Sequence, residues 1–294
     1  MRVFVTGATG FIGSRVVQDL IAAGHKVLGL SRSDSGAEFL TGAGAEVQRG
    51  TLEDLDSLRN CAAASDAVIH CAFNHDFSKF VENCEADRKA IEAIGEVLQG
   101  SKKPLIVTSG LALLAHGRAA NEDDPPAPVS AAYPRASEHA AAALEDRGVN
   151  AMVIRLPQIH DTRKQGFVTS AIQVARAKGF SAYVGDGENR WAAAHLLDAA
   201  KVYLLALEKG HAGARYHAVT EQGVRAKDIA EAIGRGLNIP VKSISKEEAA
   251  GHFGWLAGFI AMDLAASSEK TRRELGWNPT GPTLLADLEK MQYS

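Results

Sequence analysis

Residues 3–13 read VFVTGATGFIG, and they decide the fold. A β-prone run is followed by a glycine-rich turn, and apolar residues then recur at helical spacing over residues 12–21. Gly7 permits a tight turn, and Gly10 lets backbone N–H groups approach a phosphate. Gly13 lets the helix pack closely on the sheet. The stretch therefore predicts a turn that binds a dinucleotide pyrophosphate at a helix N-terminus.

The rest of the first half alternates strand-like and helix-like segments. Strand-like runs follow at residues 26–30, 45–47, 66–70, 104–109 and 151–156, and the longer helices are predicted near 79–99 and 136–147. Strands separated by helices pair in parallel through crossovers. The pattern predicts an α/β fold, a doubly wound parallel sheet of the Rossmann type.

We predict two parts in the chain. Residues 1–160 would form the dinucleotide-binding domain, and residues 161–294 a smaller substrate-binding region with a helix near 196–208 that packs back on the main sheet. Residues 119–130, rich in proline and acidic side chains, are predicted to be a surface loop.

Composition excludes several classes of protein. The 294 residues are 46% hydrophobic, and 32 Lys and Arg residues stand against 35 Asp and Glu, so neither nucleic acid nor a membrane surface is expected as a partner. Three cysteines are too few for a disulfide framework, which favours a cytoplasmic protein. The N-terminal apolar run breaks too early for a signal peptide. The histidines lack metal-ligand spacing, so no metal is expected.

The end of the second strand bears on the cofactor. Ser31 and Arg32 stand where a carboxylate would hold the ribose hydroxyls of NAD. A hydroxyl and a guanidinium suit a 2′-phosphate instead, which favours NADP(H) over NAD(H). Asp34, two residues further on, could still reach the ribose.

At this point the chain resembles the short-chain dehydrogenases/reductases, in their extended, epimerase-like branch. The resemblance covers nearly the whole length and is carried by TGATGFIG at 6–13, Asp54, HCA at 70–72, TSG at 108–110, RLP at 155–157, GDG at 185–187, HLLD at 195–198 and RELGWNP at 273–279. It implies a cofactor site built from Thr6, Gly7, Thr9, Gly10, Phe11, Ile12, Gly13, Ser31, Arg32, Asp54, Cys71, Ala72, Thr108, Ser137, Leu156 and Pro157. In this set the resemblance places Asp54 at the adenine, and Leu156 and Pro157 beside the nicotinamide.

The resemblance also implies a catalytic hydroxyl and a Tyr-x-x-x-Lys pair. Ser109 fills the first role, with Thr108 beside it, and Tyr133 is expected at the start of the following helix. Ser137 stands where the lysine belongs, on the same helical face as Tyr133 and near the nicotinamide ribose. On that helix Arg135 would point elsewhere. Without the lysine, Tyr133 would act better as an acid in reduction than as a base in oxidation.

Other residues are assigned to the substrate side. His160 follows the sixth strand and could replace the missing acid–base group, although a loop histidine is more often only a polar surface residue. Phe73, Arg190 and Trp191 are predicted to contact the substrate, and Arg190 could alternatively pair with Asp186 or Asp198. A homodimer through the helices near 80–99 and 134–147 would follow the family's habit.

Three functions remain open. The favoured one is an atypical NADP(H)-dependent oxidoreductase that reduces a carbonyl or an activated double bond of a small molecule. The second is a cofactor-binding sensor or scaffold without catalysis. The third is a sugar-nucleotide epimerase or dehydratase, which ranks last because the missing lysine most impairs alcohol oxidation.

Overall fold

The computed structural model describes residues 1–293. Its strands are, in chain order, β1 (Arg2–Thr6), β2 (Lys26–Ser31), β3 (Glu46–Arg49), β4 (Ala67–His70), β5 (Pro104–Gly110), β6 (Asn150–Leu156), β7 (Gln158–His160), β8 (Ser181–Val184), β9 (Arg190–His195), β10 (Arg215–His217), β11 (Glu221–Arg225) and β12 (Val241–Ile244). Its helices are α1 (Phe11–Ala22), α2 (Asp34–Gly42), α3 (Leu55–Ala63), α4 (Phe80–Leu98), α5 (Ser137–Glu145), α6 (Gly166–Lys178), α7 (Leu196–Lys209), α8 (Ala226–Leu237), α9 (Lys246–Phe253), α10 (Ala257–Ile260), α11 (Glu269–Leu275) and α12 (Leu284–Lys290). Short 3₁₀ turns lie at Phe77–Lys79 and Gly254–Leu256.

Seven parallel strands form the central sheet, in the order β10-β6-β5-β4-β1-β2-β3. Apolar side chains of α1, α2 and α7 cover one face, and those of α3, α4 and α5 cover the other. The predicted doubly wound α/β fold is confirmed. The strand order reverses at β1 and β4, so a crevice opens at the carboxyl ends of these two strands.

The C-terminal part of the chain builds two small sheets. One has the order β11-β9-β7 and the other pairs β12 with β8. Helices α6, α8, α9 and α12 enclose a separate apolar core with them. Helix α7 leaves this region and packs against α1 on the main sheet, where Val202, Tyr203 and Ala206 are buried. No helix within residues 1–293 has the length and apolar character to cross a membrane.

Helix α5 starts later than predicted. Its first residue is Ser137, whereas Tyr133 lies four residues earlier in a loop. Pro134 explains the difference, because proline disfavours helical backbone in the residue before it. The backbones of Ser130 and Tyr133 instead bond each other reciprocally, at 3.0 and 3.1 Å. Tyr133 and Ser137 therefore do not share a helical face.

The segment 119–130 is not a simple surface loop. Glu122 and Asp124 are buried, and both backbone N–H and hydroxyl of Thr271 donate to Glu122 Oε1 at 2.7 Å. Arg155 Nη2 donates to the carbonyl of Asp124 at 2.8 Å. The acidic residues serve as internal acceptors, which is why proline and acidic content alone gave the wrong prediction.

Candidate active site

The turn between β1 and α1 has the geometry of a phosphate site. Gly7 has φ +65°, and a Cβ there would lie 2.7 Å from Ala72 N. A Cβ on Gly13 would lie 2.1 Å from the Gly7 carbonyl oxygen. Gly10 is the N-cap of α1, with no side-chain cap from residues 1–293 and no acidic residue in the first turn. The helix therefore presents unpaired N–H groups and its positive end to an anion.

The remaining residues assigned to this turn differ in exposure. Thr9 is exposed, Phe11 and Ile12 are half-buried, and Thr6 is fully buried beneath the turn. Lys164, from the loop after β7, holds its ammonium 5.5 Å from the Phe11 ring centroid. A cation therefore lies near the mouth of the phosphate turn, contributed from the other half of the chain.

At the end of β4, one side chain links the first and fourth strands. Thr6 Oγ1 accepts a hydrogen bond from Ala72 N at 3.3 Å and contacts His70 Nδ1 at 2.9 Å. Burial raises the pKa of the neighbouring Cys71 thiol to about 12. A thiol with that pKa stays protonated at neutral pH, so Cys71 can line the crevice but is no nucleophile.

The end of β2 carries the groups that face an adenosine. Arg32 is exposed, whereas Ser31 is 2% exposed and donates its hydroxyl to the Ser33 carbonyl at 3.0 Å. This contradicts the prediction that Ser31 meets a phosphate, because its side chain is turned inward against α2. Asp34 forms an ion pair with Arg49 Nη2 at 2.8 Å. Both side chains are exposed, so this ion pair only partly offsets the charge of the nearby carboxylate.

Asp54 has a structural contact at the position assigned to the adenine. Its Oδ1 accepts from Ser57 N at 3.1 Å and so caps α3, while the residue itself remains exposed. The cap leaves its other carboxylate oxygen free for a ligand.

The end of β5 presents two hydroxyls to opposite faces of the sheet. Thr108 Oγ1 lies 2.8 Å from the buried Tyr203 hydroxyl of α7. Ser109 is buried on the face that carries α5. Burial raises the pKa of the Tyr133 phenol, and the charge of Arg135 partly opposes that rise. Tyr133 therefore stays neutral at physiological pH.

Arg135 provides a positive charge at the site, where the sequence analysis expected none to replace the missing lysine. Its Nε donates to Ser137 Oγ at 3.0 Å, its Nη2 donates to the Thr108 carbonyl at 3.2 Å, and the guanidinium lies 4.5 Å from the Phe73 ring centroid. The prediction that Arg135 points elsewhere was wrong, because this residue precedes α5 and is free of its helical register. The guanidinium sits at the end of β5.

Ser137 also departs from its expected role. It is 1% exposed, and its hydroxyl donates to Asp87 Oδ2 at 2.6 Å. The other Asp87 oxygen lies 3.1 Å from His70 Nε2. Ser137 is therefore buried against α4 and is not open to a nicotinamide ribose. Through Asp87 and Arg135 the structure brings Thr6, Phe73, Thr108 and Ser137 into one connected group.

His160 is neither a loop residue nor a surface residue. It lies in β7 with 0% exposure, and its Nδ1 is 2.7 Å from Asp287 Oδ2. Burial lowers its pKa. A substrate cannot reach a fully buried ring, so the structure contradicts its assignment as an acid–base group.

Within residues 1–293 no three His, Cys, Asp or Glu side chains are grouped to hold a metal ion.

The residues assigned to the substrate are divided between two places. Phe73 is half-buried beside Arg135, whereas Trp191 is 2% exposed within the C-terminal core, where it cannot contact a ligand directly. Arg190 pairs with Asp263 at 2.7 Å rather than with Asp186 or Asp198. Leu156 and Pro157 are half-buried at the end of β6, where Leu156 pairs with Gly110.

An aromatic cluster crosses the cleft between the two halves of the chain. Phe77 stacks on Trp255 with centroids 4.3 Å apart, and it meets Phe167 at 5.5 Å. Phe80 links Phe77 to Phe73, at 5.4 and 6.3 Å. Apolar rings thus run from the Arg135 guanidinium to the C-terminal region.

Sequence reasoning missed Asp87, Arg49 and Lys164, and it misjudged Arg135. In the sequence Asp87 looks like one more polar residue on a helix of mixed charge. Arg49 and Lys164 contact Asp34 and Phe11, and the sequence does not show that these residues are neighbours in the fold. For Arg135 a signal was available, since the Tyr-Pro pair disfavours helix at residue 133.

Comparison with known proteins supports this description. Residues 3–220 match the NAD dependent epimerase/dehydratase family. The chain is 48% identical to an uncharacterized protein, C2A9.02, of Schizosaccharomyces pombe, over 100% of both chains. It is 26% identical to 4-hydroxy-2-methyl-3-oxo-4-farnesyl-3,4-dihydroquinoline-1-oxide ketoreductase of Stigmatella aurantiaca, covering 94% of this chain and 92% of that one.

Its fold is similar to that of UDP-glucose 4-epimerase of Thermus thermophilus in complex with NAD, with a TM-score of 0.77, 21% identity and coverage of 100% and 99% of the two chains. The fold and the sequence match extend over the phosphate turn, the crevice and the end of β5. This chain belongs to the NAD dependent epimerase/dehydratase family and carries the fold of its NAD(P)-dependent oxidoreductases.

Proposed function

We propose that this protein is an NADPH-dependent reductase of a carbonyl or an activated double bond in a small molecule. The observation that carries the proposal is the pair Tyr133 and Arg135: burial raises the pKa of the phenol and keeps it neutral, and the guanidinium that acts on it donates to the Thr108 carbonyl at the end of β5. A neutral phenol can donate a proton but is a poor base, which favours reduction over oxidation.

The chain's own residues fit a phosphorylated dinucleotide. The uncapped N-terminus of α1 suits the pyrophosphate, and Lys164 adds a positive charge nearby. Arg32 is exposed at the end of β2, and Arg49 pairs with Asp34, which reduces the repulsion between that exposed carboxylate and a 2′-phosphate. This charge arrangement supports NADPH over NADH.

The chemistry that the cofactor would supply when bound is a hydride for the carbonyl carbon. Tyr133 Oη gives its proton to the carbonyl oxygen, which becomes the alcohol. Arg135 then stabilises the tyrosinate until a proton from solvent restores the phenol. Phe73 and the rings beyond it provide an apolar wall that excludes water from the reacting carbonyl.

The ketoreductase of Stigmatella aurantiaca gives the reduction of a ketone a precedent among the relatives. Sugar-nucleotide epimerisation has less support, because it would require Tyr133, whose pKa is raised, to act as the base that takes the proton of an alcohol while an oxidised dinucleotide takes the hydride. Arg190, expected to meet a sugar-nucleotide phosphate, is committed by two hydrogen bonds to Asp263.

Titration of NADPH and NADH against wild type and Arg32→Ala tests the cofactor part. We expect NADPH to bind more tightly to wild type, and the substitution to weaken NADPH by about tenfold, the equivalent of one charged hydrogen bond, with little change for NADH. Lys79→Ala, on an exposed turn, is the matched control. Equal wild-type affinities would contradict the NADPH preference.

A panel of aromatic and aliphatic ketones, aldehydes and enones, followed by loss of NADPH absorbance, tests the reaction. Turnover that disappears in Tyr133→Phe supports the reductase. Tight NADPH binding with no turnover across the panel would favour the sensor or scaffold instead.

A further inference from the structure

The chain lacks the lysine of the family pattern, yet its site holds a cation two residues earlier, Arg135, whose guanidinium is anchored by hydrogen bonds. We propose that Arg135 is the working cation of the reaction site, set beside Tyr133 and open on one side to an oxygen of the bound dinucleotide. The inference rests on the proposed function and deepens it, since it gives Arg135 a contact with the dinucleotide and explains what holds the guanidinium in place.

The guanidinium is fixed on three sides. Nε donates to Ser137 Oγ, Nη2 donates to the Thr108 carbonyl, and the Phe73 ring lies against its flat face. Nη1 has no hydrogen-bond partner among residues 1–293, and Arg135 is only half-buried. A planar fork with one free end can donate to a ligand without giving up its anchors.

The anchor continues into a buried chain that converges on Asp87. Ser137 accepts from Arg135 and donates to Asp87 Oδ2 at 2.6 Å. From the other side Ala72 N donates to Thr6, whose hydroxyl can donate to His70 Nδ1, so that His70 Nε2–H donates to Asp87 Oδ1 at 3.1 Å. All these donors and acceptors are satisfied when His70 carries its proton on Nε2.

This chain explains why the cation is arginine and why serine stands at residue 137. Asp87 is 1% exposed, and a buried carboxylate requires a compensating positive charge. Arg135 supplies it through the small hydroxyl of Ser137, two hydrogen bonds away. The side chain at 137 is thus a spacer that connects Asp87 to the guanidinium.

Arg135 is also the charged group with the largest effect on Tyr133. The titratable groups that act on the pKa of the phenol are Arg135, Glu138, Cys84 and Arg155. Glu138 and Arg155 form an ion pair at 2.8 Å and so offset each other, and burial keeps the pKa of the Cys84 thiol raised to about 11. The Arg135 charge remains as the main stabiliser of a tyrosinate.

Two measurements test the proposal on Arg135→Gln, Arg135→Lys and the control Arg147→Gln, an exposed arginine at the far end of the same segment. The first is the NADPH dissociation constant. The second is the pH titration of Tyr133 in cofactor-free protein, obtained as the difference in phenolate absorbance between each variant and the same variant that also carries Tyr133→Phe. Arg135→Gln should weaken NADPH by about 10- to 100-fold, the range for a charged hydrogen bond. It should also raise the pH at which Tyr133 ionises.

Arg135→Lys keeps the charge but lacks the planar fork that lets separate nitrogens bond Ser137, the Thr108 carbonyl and a ligand at once. It should preserve the Tyr133 titration and recover only part of the NADPH affinity, which a merely structural arginine would not do. If Arg135→Gln does not fold, the Lys variant decides, and an unchanged dissociation constant for it overturns the proposal. Equality of Arg135→Gln with Arg147→Gln in both measurements would also overturn it.

Failure of the proposed function leaves a different signature. Wild-type protein that binds no NADPH contradicts the reductase, whereas the Tyr133 titration in free protein still reports whether Arg135 is its cation.

Discussion

At the scale of single residues, Asp87 joins its own helix, α4, to the end of β4 and to the start of α5. Through His70 and Ser137 this link reaches the end of β1 and the loop that carries Arg135. Asp87 accepts from Ser137 at the start of α5 and from His70 at the end of β4. Replacement by alanine would leave both donors without an acceptor in a buried place. The carboxylate has no hydrogen bond to Arg135 itself, yet through Ser137 it supports the guanidinium that donates to the Thr108 carbonyl.

Tyr133→Phe should lower the turnover of carbonyl reduction by about 10²- to 10⁴-fold, the usual contribution of a positioned proton donor, and leave NADPH binding unchanged. Because burial raises the phenol pKa, the neutral form persists as pH rises past its ordinary value. The wild-type rate should therefore be flat from neutral pH to about pH 10, the unperturbed tyrosine value, and fall only above it. A decline between pH 7 and 9 would show that another group donates the proton.

His217 should make the free energy of unfolding depend on pH in the acid range. Burial first, and then the charge of Arg155, lowers its pKa to about 3. An unfolded histidine takes up its proton near pH 6.5, so the stabilisation present above that pH is lost as pH falls toward the folded value. The free energy of unfolding should decrease by up to about 1.4 kcal/mol per pH unit over this interval.

Denaturant unfolding at pH 7.5, 6.0 and 5.0 measures this dependence. In His217→Gln, whose amide can still accept from Arg155 and donate to the Ser267 carbonyl, the slope should be shallower than in wild type. Equal slopes for the two proteins would assign the acid sensitivity to other groups, of which the buried His160 is one.

At the scale of elements, the connection between β1 and α1 requires glycine at two positions for two different reasons. A Cβ on Gly13 would meet the Gly7 carbonyl oxygen at 2.1 Å, deep between helix and turn. A Cβ on Gly10 would meet the same oxygen at 3.1 Å and otherwise face outward. One glycine therefore permits packing, and the other keeps the phosphate approach open.

Gly10→Val should fold but lose NADPH binding, because its side chain would stand where the pyrophosphate approaches the backbone. Gly13→Val should instead be destabilised by about 1–3 kcal/mol or more, as an overpacked core position is. Thermal unfolding and NADPH titration of both variants distinguish the two effects. Normal NADPH affinity in Gly10→Val would mean that the phosphate site lies elsewhere.

The strand–turn–helix and the parallel sheet could be predicted because their determinants are local. The glycines and the apolar runs that specify one strand–turn–helix unit lie within about thirty residues of one another in the sequence. His160 could not be placed in this way, since β7 exists through pairing with β9, more than thirty residues away. Arg135 and Ser137 failed for a different reason: a helix was extended across Pro134, and the wrong register then placed both side chains incorrectly.

For the whole molecule, the connection between the two halves runs through the segment 119–130. Ala120 bonds the backbone at Ala265 and Ser267, each at 2.8 Å, and Lys270 pairs with Asp123 at 2.7 Å. Glu122 is enclosed at 2% exposure with Thr271 as its donor. The loop that leads to Tyr133 and Arg135 is thus fastened to the chain's last quarter.

Glu122→Ala should lower the free energy of unfolding by about 1–3 kcal/mol, since it strands the buried Thr271 N–H. It should also reduce turnover more than it weakens NADPH binding, because Tyr133 loses its support while the phosphate turn is untouched. Chemical denaturation and steady-state kinetics measure the two effects, with Glu208→Ala, at an exposed glutamate of α7 away from this segment, as the control. Reduced affinity with normal turnover would contradict this coupling.

The same fastening limits how this protein can be recombined. In a modular enzyme, a new C-terminal region could be exchanged to change substrate choice while the reactive groups stay in place. Here the segment around residues 265–271 supports the loop that carries the proton donor. A chimera joined after β6 would therefore inherit the phosphate turn intact but lose the alignment of Tyr133, unless residues 265–271 were transferred with the first half.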